Sequence, residues 1–175
     1  MHRLFVAIRP PPHIRDALID TMEGVEGARW QSDEQLHLTL RFIGEVERPL
    51  AEDVAVALGS VRFDPFALTI AGVGMFDKRG RPNAIWAGIE PCRPLGELQH
   101  RVETACRRAG LAPETRKFLP HVTIARLNTS TGALAGWLSL YGKLRLPPFT
   151  VEHFVLCESE IGRHGSIYHD IARYG

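Results

Sequence analysis

The chain has 175 residues, 45% hydrophobic and 23% charged, with a formal charge of +1 when histidine is neutral. That length suits one domain or two intimately packed halves. The charge balance excludes a whole-molecule field that would draw the protein onto nucleic acid or an anionic membrane, so any attraction for polyanions has to be local.

The opening apolar run, Leu4 to Ile8, is too short for a signal-peptide core and is closed by charge and proline. No stretch approaches the roughly 18 apolar residues of a membrane span, so the expectation is a cytoplasmic protein without membrane contact. Residues 3–9 read as a strand. The spacing of Ile14, Ala17, Leu18 and Met22 predicts a helix closed by Gly24. Residues 36–46 (LHLTLRFIGEV) alternate as a strand, and 51–61 (AEDVAVALGSV) form a helix stopped at Gly59. Two further strands, 66–76 and 83–90, are joined by the hairpin-like loop DKRGRP.

The second half repeats this order. A helix from Pro94 to Ala109 ends at Gly110, the strand PHVTIARL follows, residues 131–141 form a helix, and 149–159 with 166–174 form closing strands. No low-complexity tract or long linker divides the halves. The expected fold is α+β, bilobal and duplicated about a pseudo-two-fold axis. Antiparallel sheets line a central cleft, helices cover the outer faces, and residues 1–175 make a single two-lobed domain.

Each half carries one copy of a tetrapeptide, HLTL at 37–40 and HVTI at 121–124. In a strand, Leu36, Leu38, Leu40 and Phe42 share one face while His37, Thr39 and Arg41 share the other. Likewise Val122 and Ile124 point inward while His121 and Thr123 point outward. A row of polar groups cannot be buried against a hydrophobic layer without partners, so that face must look into a wet or ligand-filled space. A pseudo-two-fold axis would bring both polar faces to one cleft. Two imidazoles on opposite sides of one phosphorus suit in-line displacement, one activating the incoming oxygen and one protonating the departing oxygen, and the threonines can donate to the phosphoryl oxygens. No metal or other cofactor is then required. A single HxT in a strand is a weak signal, because both residues are common on exposed sheet faces; two copies in matched settings carry the reading.

HLTLRFIGEV and FLPHVTIARL resemble the paired HxTx signatures of the two-histidine phosphoesterases, in particular the LigT-like RNA 2′,3′-cyclic phosphodiesterases. RLFVAIRPP, AIWAGIE and the FVLCES…IYHDIARY ending extend the likeness almost end to end. The resemblance implies hydrolysis of an RNA 2′,3′-cyclic phosphate end to a 2′-phosphate, or 2′-5′ ligation in some members. It implies His37 as the acid for the leaving 3′-oxygen, His121 as the base for water, and Thr39 and Thr123 as phosphate contacts. Arg126 matches a family arginine that pairs with phosphate oxygens. Strict alternation would turn Ala125 to the cleft instead, so that role requires the strand to end, twist or bulge after Thr123. Arg41, on the face of His37, is expected as a second anion contact.

The other histidines lack a repeated setting and read as surface or structural groups, although His153 and His169 lie in the closing strands as potential neighbours. Cys92, Cys106 and Cys157 are odd in number and include no CxxC pair, so they read as buried reduced thiols. Phe5, Trp30 and Trp86 are candidates for stacking on a base. Of the basic clusters, Arg116-Lys117 best fits an RNA-guiding role, with the loop at 78–81 as a cover. The partner expected is RNA with a 2′,3′-cyclic phosphate end or a small cyclic nucleotide, bound by a monomer with no protein partner. The competing readings are a non-catalytic RNA-end or nucleotide-binding module, a 2′-5′ RNA ligase or phosphodiesterase on another cyclic nucleotide, and a zinc site at the histidines.

Overall fold

The computed structural model describes residues 1–175. In chain order the elements are β1 (His2–Ile8), α1 (Pro12–Ile19), β2 (Arg29–Trp30), a 3₁₀ turn (Asp33–Gln35), β3 (Leu38–Val46), α2 (Arg48–Leu58), β4 (Phe66–Leu68) and β5 (Ile70–Lys78). The second half runs β6 (Arg81–Ile89), α3 (Arg93–Ala109), β7 (His121–Arg126), α4 (Ala135–Tyr141), β8 (Phe149–Val151), β9 (Phe154–Gly162) and β10 (Gly165–Tyr174). Both halves therefore follow one plan of strand, helix, strand, helix, short strand, long strand. β2 and the 3₁₀ turn are inserted in the first half and β10 is added to the second.

The large sheet has the order β10-β9-β1-β3-β7-β6-β5, with β2 also on β7, and every pairing is antiparallel. The halves exchange their last long strands. β5 of the first half pairs with β6 of the second, and β9 of the second pairs with β1 of the first. The short strands β4 and β8 make a separate two-stranded ribbon. This exchange is why no linker separates the halves: each side of the sheet is built from both.

Local chemistry fixes the elements. Pro12, Pro49 and Pro94 sit in the first turns of α1, α2 and α3, where a missing N–H costs nothing. α3 buries Leu95, Leu98, Val102, Ala105 and Cys106 at helical spacing, carries Arg107 and Arg108 in its last turn, and stops at Gly110, whose φ of 114° is left-handed. The β5–β6 hairpin turns through Arg79 and Gly80, both at positive φ, the conformation a two-residue turn requires.

Several boundaries differ from expectation. α1 ends at Ile19 because the chain turns at Thr21, whose buried hydroxyl donates to the Leu18 carbonyl while its own carbonyl accepts from Trp137 Nε1. α4 starts at Ala135 rather than 131. The segments 66–76 and 149–159 each divide into a ribbon strand and a sheet strand, since their first residues pair with one another. The main core, including Val6, Leu38, Leu58, Leu98, Val122 and Phe154, is a single hydrophobic cluster. A second, small cluster of Phe5, Ala7, Val155 and Cys157, flanked by Tyr168, stands apart from it. Cys106 and Cys157 are buried free thiols, whereas Cys92 is half-buried.

Candidate active site

β3 and β7 meet through one pair, Leu38 with Val122, the residues that follow the two motif histidines. Antiparallel register at that pair sets His37 across from Thr123 and Thr39 across from His121. All four line one cavity of about 160 Å³. That volume is below the ~300–1,000 Å³ typical of pockets for whole small molecules and suits a group of phosphate size.

The two imidazoles are held in the same way. His37 Nδ1 donates to the Gln35 carbonyl at 2.7 Å, and His121 Nδ1 donates to the Leu119 carbonyl at 2.6 Å, in each case two residues upstream. A backbone carbonyl can only accept, so both rings carry their proton on Nδ1 and turn a lone pair on Nε2 to the cavity. There the symmetry ends: Thr39 Oγ1 donates to His37 Nε2 at 2.9 Å, while His121 Nε2 has no protein partner.

Aromatic walls surround both rings. Phe5 lies 4.8 Å and Tyr168 5.4 Å from His37, and Phe76 lies 4.8 Å and Trp86 6.1 Å from His121, all between ring centroids. Trp86 fits because Gly74 lies beneath its ring, where a Cβ would collide. Desolvation by these walls holds His37 down to about 4; the Gln35 hydrogen bond opposes this, and Arg9, Arg126 and His121 add to it. His121 is lowered for the same first reason, opposed by Leu119 and reinforced by Arg126.

Arg126 reaches the cavity through a bulge. Trp86 pairs with Thr123 and Ile85 with Ala125, so Ile124 is an extra residue that reverses the alternation beyond the motif. Ile124 and Ala125 are buried and Arg126 emerges on the cleft face. β3 does the same: Ala7 pairs with Thr39 and Val6 with Arg41, leaving Leu40 extra. There the bulge corrects the expectation for Arg41, which turns to the helix layer rather than the cleft. Arg41 is 7% exposed; it donates to Glu103 at 3.0 Å and to the Phe42 and Ala112 carbonyls at 2.7 and 2.6 Å.

Other expectations also shift. Phe5 is buried against His37 and is a wall of the site rather than a stacking platform. Arg116 is engaged with Glu114, neither it nor Lys117 lines the cavity, and residues 78–81 form the exposed β5–β6 turn. His153 contacts Arg173 and His169 contacts Glu160, each with a separate partner. Gln31, Gln35, Phe76 and Asn83 also line the cavity, and they carry no repeated motif that the sequence would have flagged. The cavity offers two imidazoles, hydroxyls, amides and a guanidinium, with no carboxylate or thiolate among its lining.

A family model described as the 2′-5′ RNA ligase superfamily matches residues 10–163. An Aeropyrum pernix protein named RNA 2′,3′-cyclic phosphodiesterase is 34% identical over 161 residues, covering 89% of this chain and 88% of its own. One of the same name from Archaeoglobus fulgidus is 29% identical over 172 residues, covering 97% of both. Among solved structures, Escherichia coli LigT complexed with 3′-AMP superposes with a TM-score of 0.77 at 26% identity, covering 98% of this chain and 96% of that one. A Thermus thermophilus protein reaches 0.81 at 25% identity with the same coverage. No helix here is long and apolar enough to cross a membrane. With the family model spanning most of its length and relatives aligned nearly end to end, the chain belongs to the 2′-5′ RNA ligase superfamily.

Proposed function

We propose that this protein hydrolyses RNA 2′,3′-cyclic phosphate ends to 2′-phosphates, using His37 and His121 as its acid and base and no metal. The observation that carries the reading is the matched pinning of both Nδ1 atoms on carbonyls, which leaves two Nε2 atoms facing one phosphate-sized cavity. The names of its relatives favour the same reaction.

His121 Nε2, free of protein partners, takes a proton from water as the water oxygen bonds to phosphorus. The P–O3′ bond breaks, and His37, which takes up a proton on Nε2 when the phosphodiester anion binds beside it, gives that proton to the leaving 3′-oxygen. Proton exchange with solvent resets both rings. Thr39, Thr123 and Arg126 donate to the phosphoryl oxygens, where negative charge builds. A 5′-hydroxyl in place of water would give a 2′-5′ linkage by the same transfers.

The test is to incubate the protein with RNA ending in a 2′,3′-cyclic phosphate in EDTA and locate the product phosphate. Full activity with a 2′-phosphate product is expected, together with loss of most activity in His37→Ala and His121→Ala. Near-normal turnover by either variant, or abolition by chelator, overturns the mechanism.

A further inference from the structure

A second chamber of about 480 Å³ adjoins the histidine cavity and shares Gln31, Gln35 and Arg126 with it. Arg3 and Arg29 also line this chamber, and none of the chain's 20 acidic residues does. Elsewhere arginines are of both kinds: Arg9, Arg15, Arg48, Arg93, Arg116 and Arg145 each face a carboxylate, whereas others, such as Arg62 and Arg163, form no ion pair. Arg3, Arg29 and Arg126 form no ion pair.

Their placement sets like charges side by side. Arg29 and Arg126 are direct partners in the antiparallel β2–β7 pairing, which brings their Cβ atoms to roughly 5 Å on one face, where like charges repel. Arg3 stands over the Phe42 ring at 5.0 Å, a contact that steadies a guanidinium without neutralising it. Three guanidinium groups without an ion-pair partner around one chamber, two of them side by side, have the chemistry of an anion site. It shares three lining residues with the histidine cavity and has three times its volume.

We infer that this chamber binds a second phosphate of the substrate, the phosphodiester on the 5′ side of the terminal nucleotide, so that the preferred substrate is a strand rather than a lone nucleoside cyclic phosphate. The inference rests on the proposed phosphodiesterase reaction and assigns Arg3 and Arg29 as strand-binding residues, with Arg126 serving both chambers.

The experiment compares kcat/KM for adenosine 2′,3′-cyclic phosphate, its 5′-phosphorylated form, the dinucleotide ApA with a 2′,3′-cyclic phosphate end, and that dinucleotide with a neutral methylphosphonate linkage. The phosphodiester dinucleotide is expected to exceed adenosine 2′,3′-cyclic phosphate by at least about ten-fold, mainly through KM, and the neutral linkage to lose most of that gain. Arg29→Ala and Arg3→Ala should erase the gain while leaving adenosine 2′,3′-cyclic phosphate within about two-fold of wild type. Each should also reduce the salt dependence of strand binding by roughly one counterion. A similar gain from the 5′-phosphate alone supports a subsite for the phosphate group; a gain confined to the dinucleotide supports one that also holds its nucleoside. Equal rates on charged and neutral dinucleotides, or an undiminished preference in Arg29→Ala, overturn the subsite while leaving the phosphodiesterase reading intact. A wild-type protein that hydrolyses none of these substrates overturns that reading instead.

Discussion

Phe42 and Arg126 occupy equivalent positions, each three residues beyond its motif threonine, each just past a one-residue bulge, and each exposed after two buried residues. One half thus presents an aromatic ring where the other presents a cation, so on the proposed reaction phosphate charge would be met from the β7 side. Arg126→Ala is expected to lower kcat/KM by about 10²–10³, as removal of a donor to a transition-state oxyanion does. Arg126→Lys should recover only part, since an ammonium cannot form the two-pronged contact. Steady-state kinetics on a cyclic-phosphate RNA decide this; an Arg126→Ala enzyme within about three-fold of wild type removes the arginine from the site.

The depressed imidazoles predict how the pH profile moves. In the free enzyme, desolvation and Arg126 favour neutral rings. A bound phosphodiester anion sets negative charge beside them and favours the imidazolium forms. Both limbs of the bell in kcat should therefore lie at higher pH than those in kcat/KM, because kcat reports the complex and kcat/KM the free enzyme. Coincident limbs would mean that the substrate charge does not reach the rings.

Folding stability should carry the same signature with the opposite emphasis. A histidine whose folded value is depressed contributes stability that is complete above its unfolded value near 6.5 and is lost as pH falls. For His37 the loss runs down to about 4 and amounts to up to about 3 kcal/mol. Urea unfolding of wild type at pH 7, 5.5 and 4.5 should show this decline, and His37→Asn should show a shallower one. Parallel curves would place the titration elsewhere.

The site was half legible in the sequence, for a definite reason. Alternation holds from His37 to Thr39 and from His121 to Thr123, so reading every second residue recovers the four motif side chains. It fails one residue later in both strands, because Leu40 and Ile124 are bulged, and an aliphatic residue in an aliphatic run gives no sign of that. The strand exchange was equally hidden: the duplicated order of elements is written in the chain, but the pairing of β5 with β6 and of β9 with β1 is a choice among edges. Arg3 and Arg29 lie far from Arg126 in sequence and meet it only through the sheet. The carbonyls of Gln35 and Leu119, which orient the two motif imidazoles, belong to the backbone and have no letter of their own.

Arg41 carries the last prediction, because the bulge at Leu40 turns it from substrate contact to structural anchor. Its guanidinium joins β3 to Glu103 on α3 and to the Ala112 carbonyl, and the second Glu103 oxygen accepts from the Glu114 N–H at 3.2 Å. This network anchors the segment that leads from α3 to His121. Removing Arg41 takes away the nearer cationic partner of a buried carboxylate and leaves it only the more exposed Arg107 at 3.8 Å, so Arg41→Ala is expected to cost up to about 3–5 kcal/mol in urea unfolding, and the double change Arg41→Met with Glu103→Leu should recover much of it. At temperatures where the single variant stays folded, its KM for a cyclic-phosphate RNA should remain close to wild type. A raised KM with unaltered stability would return Arg41 to the cleft.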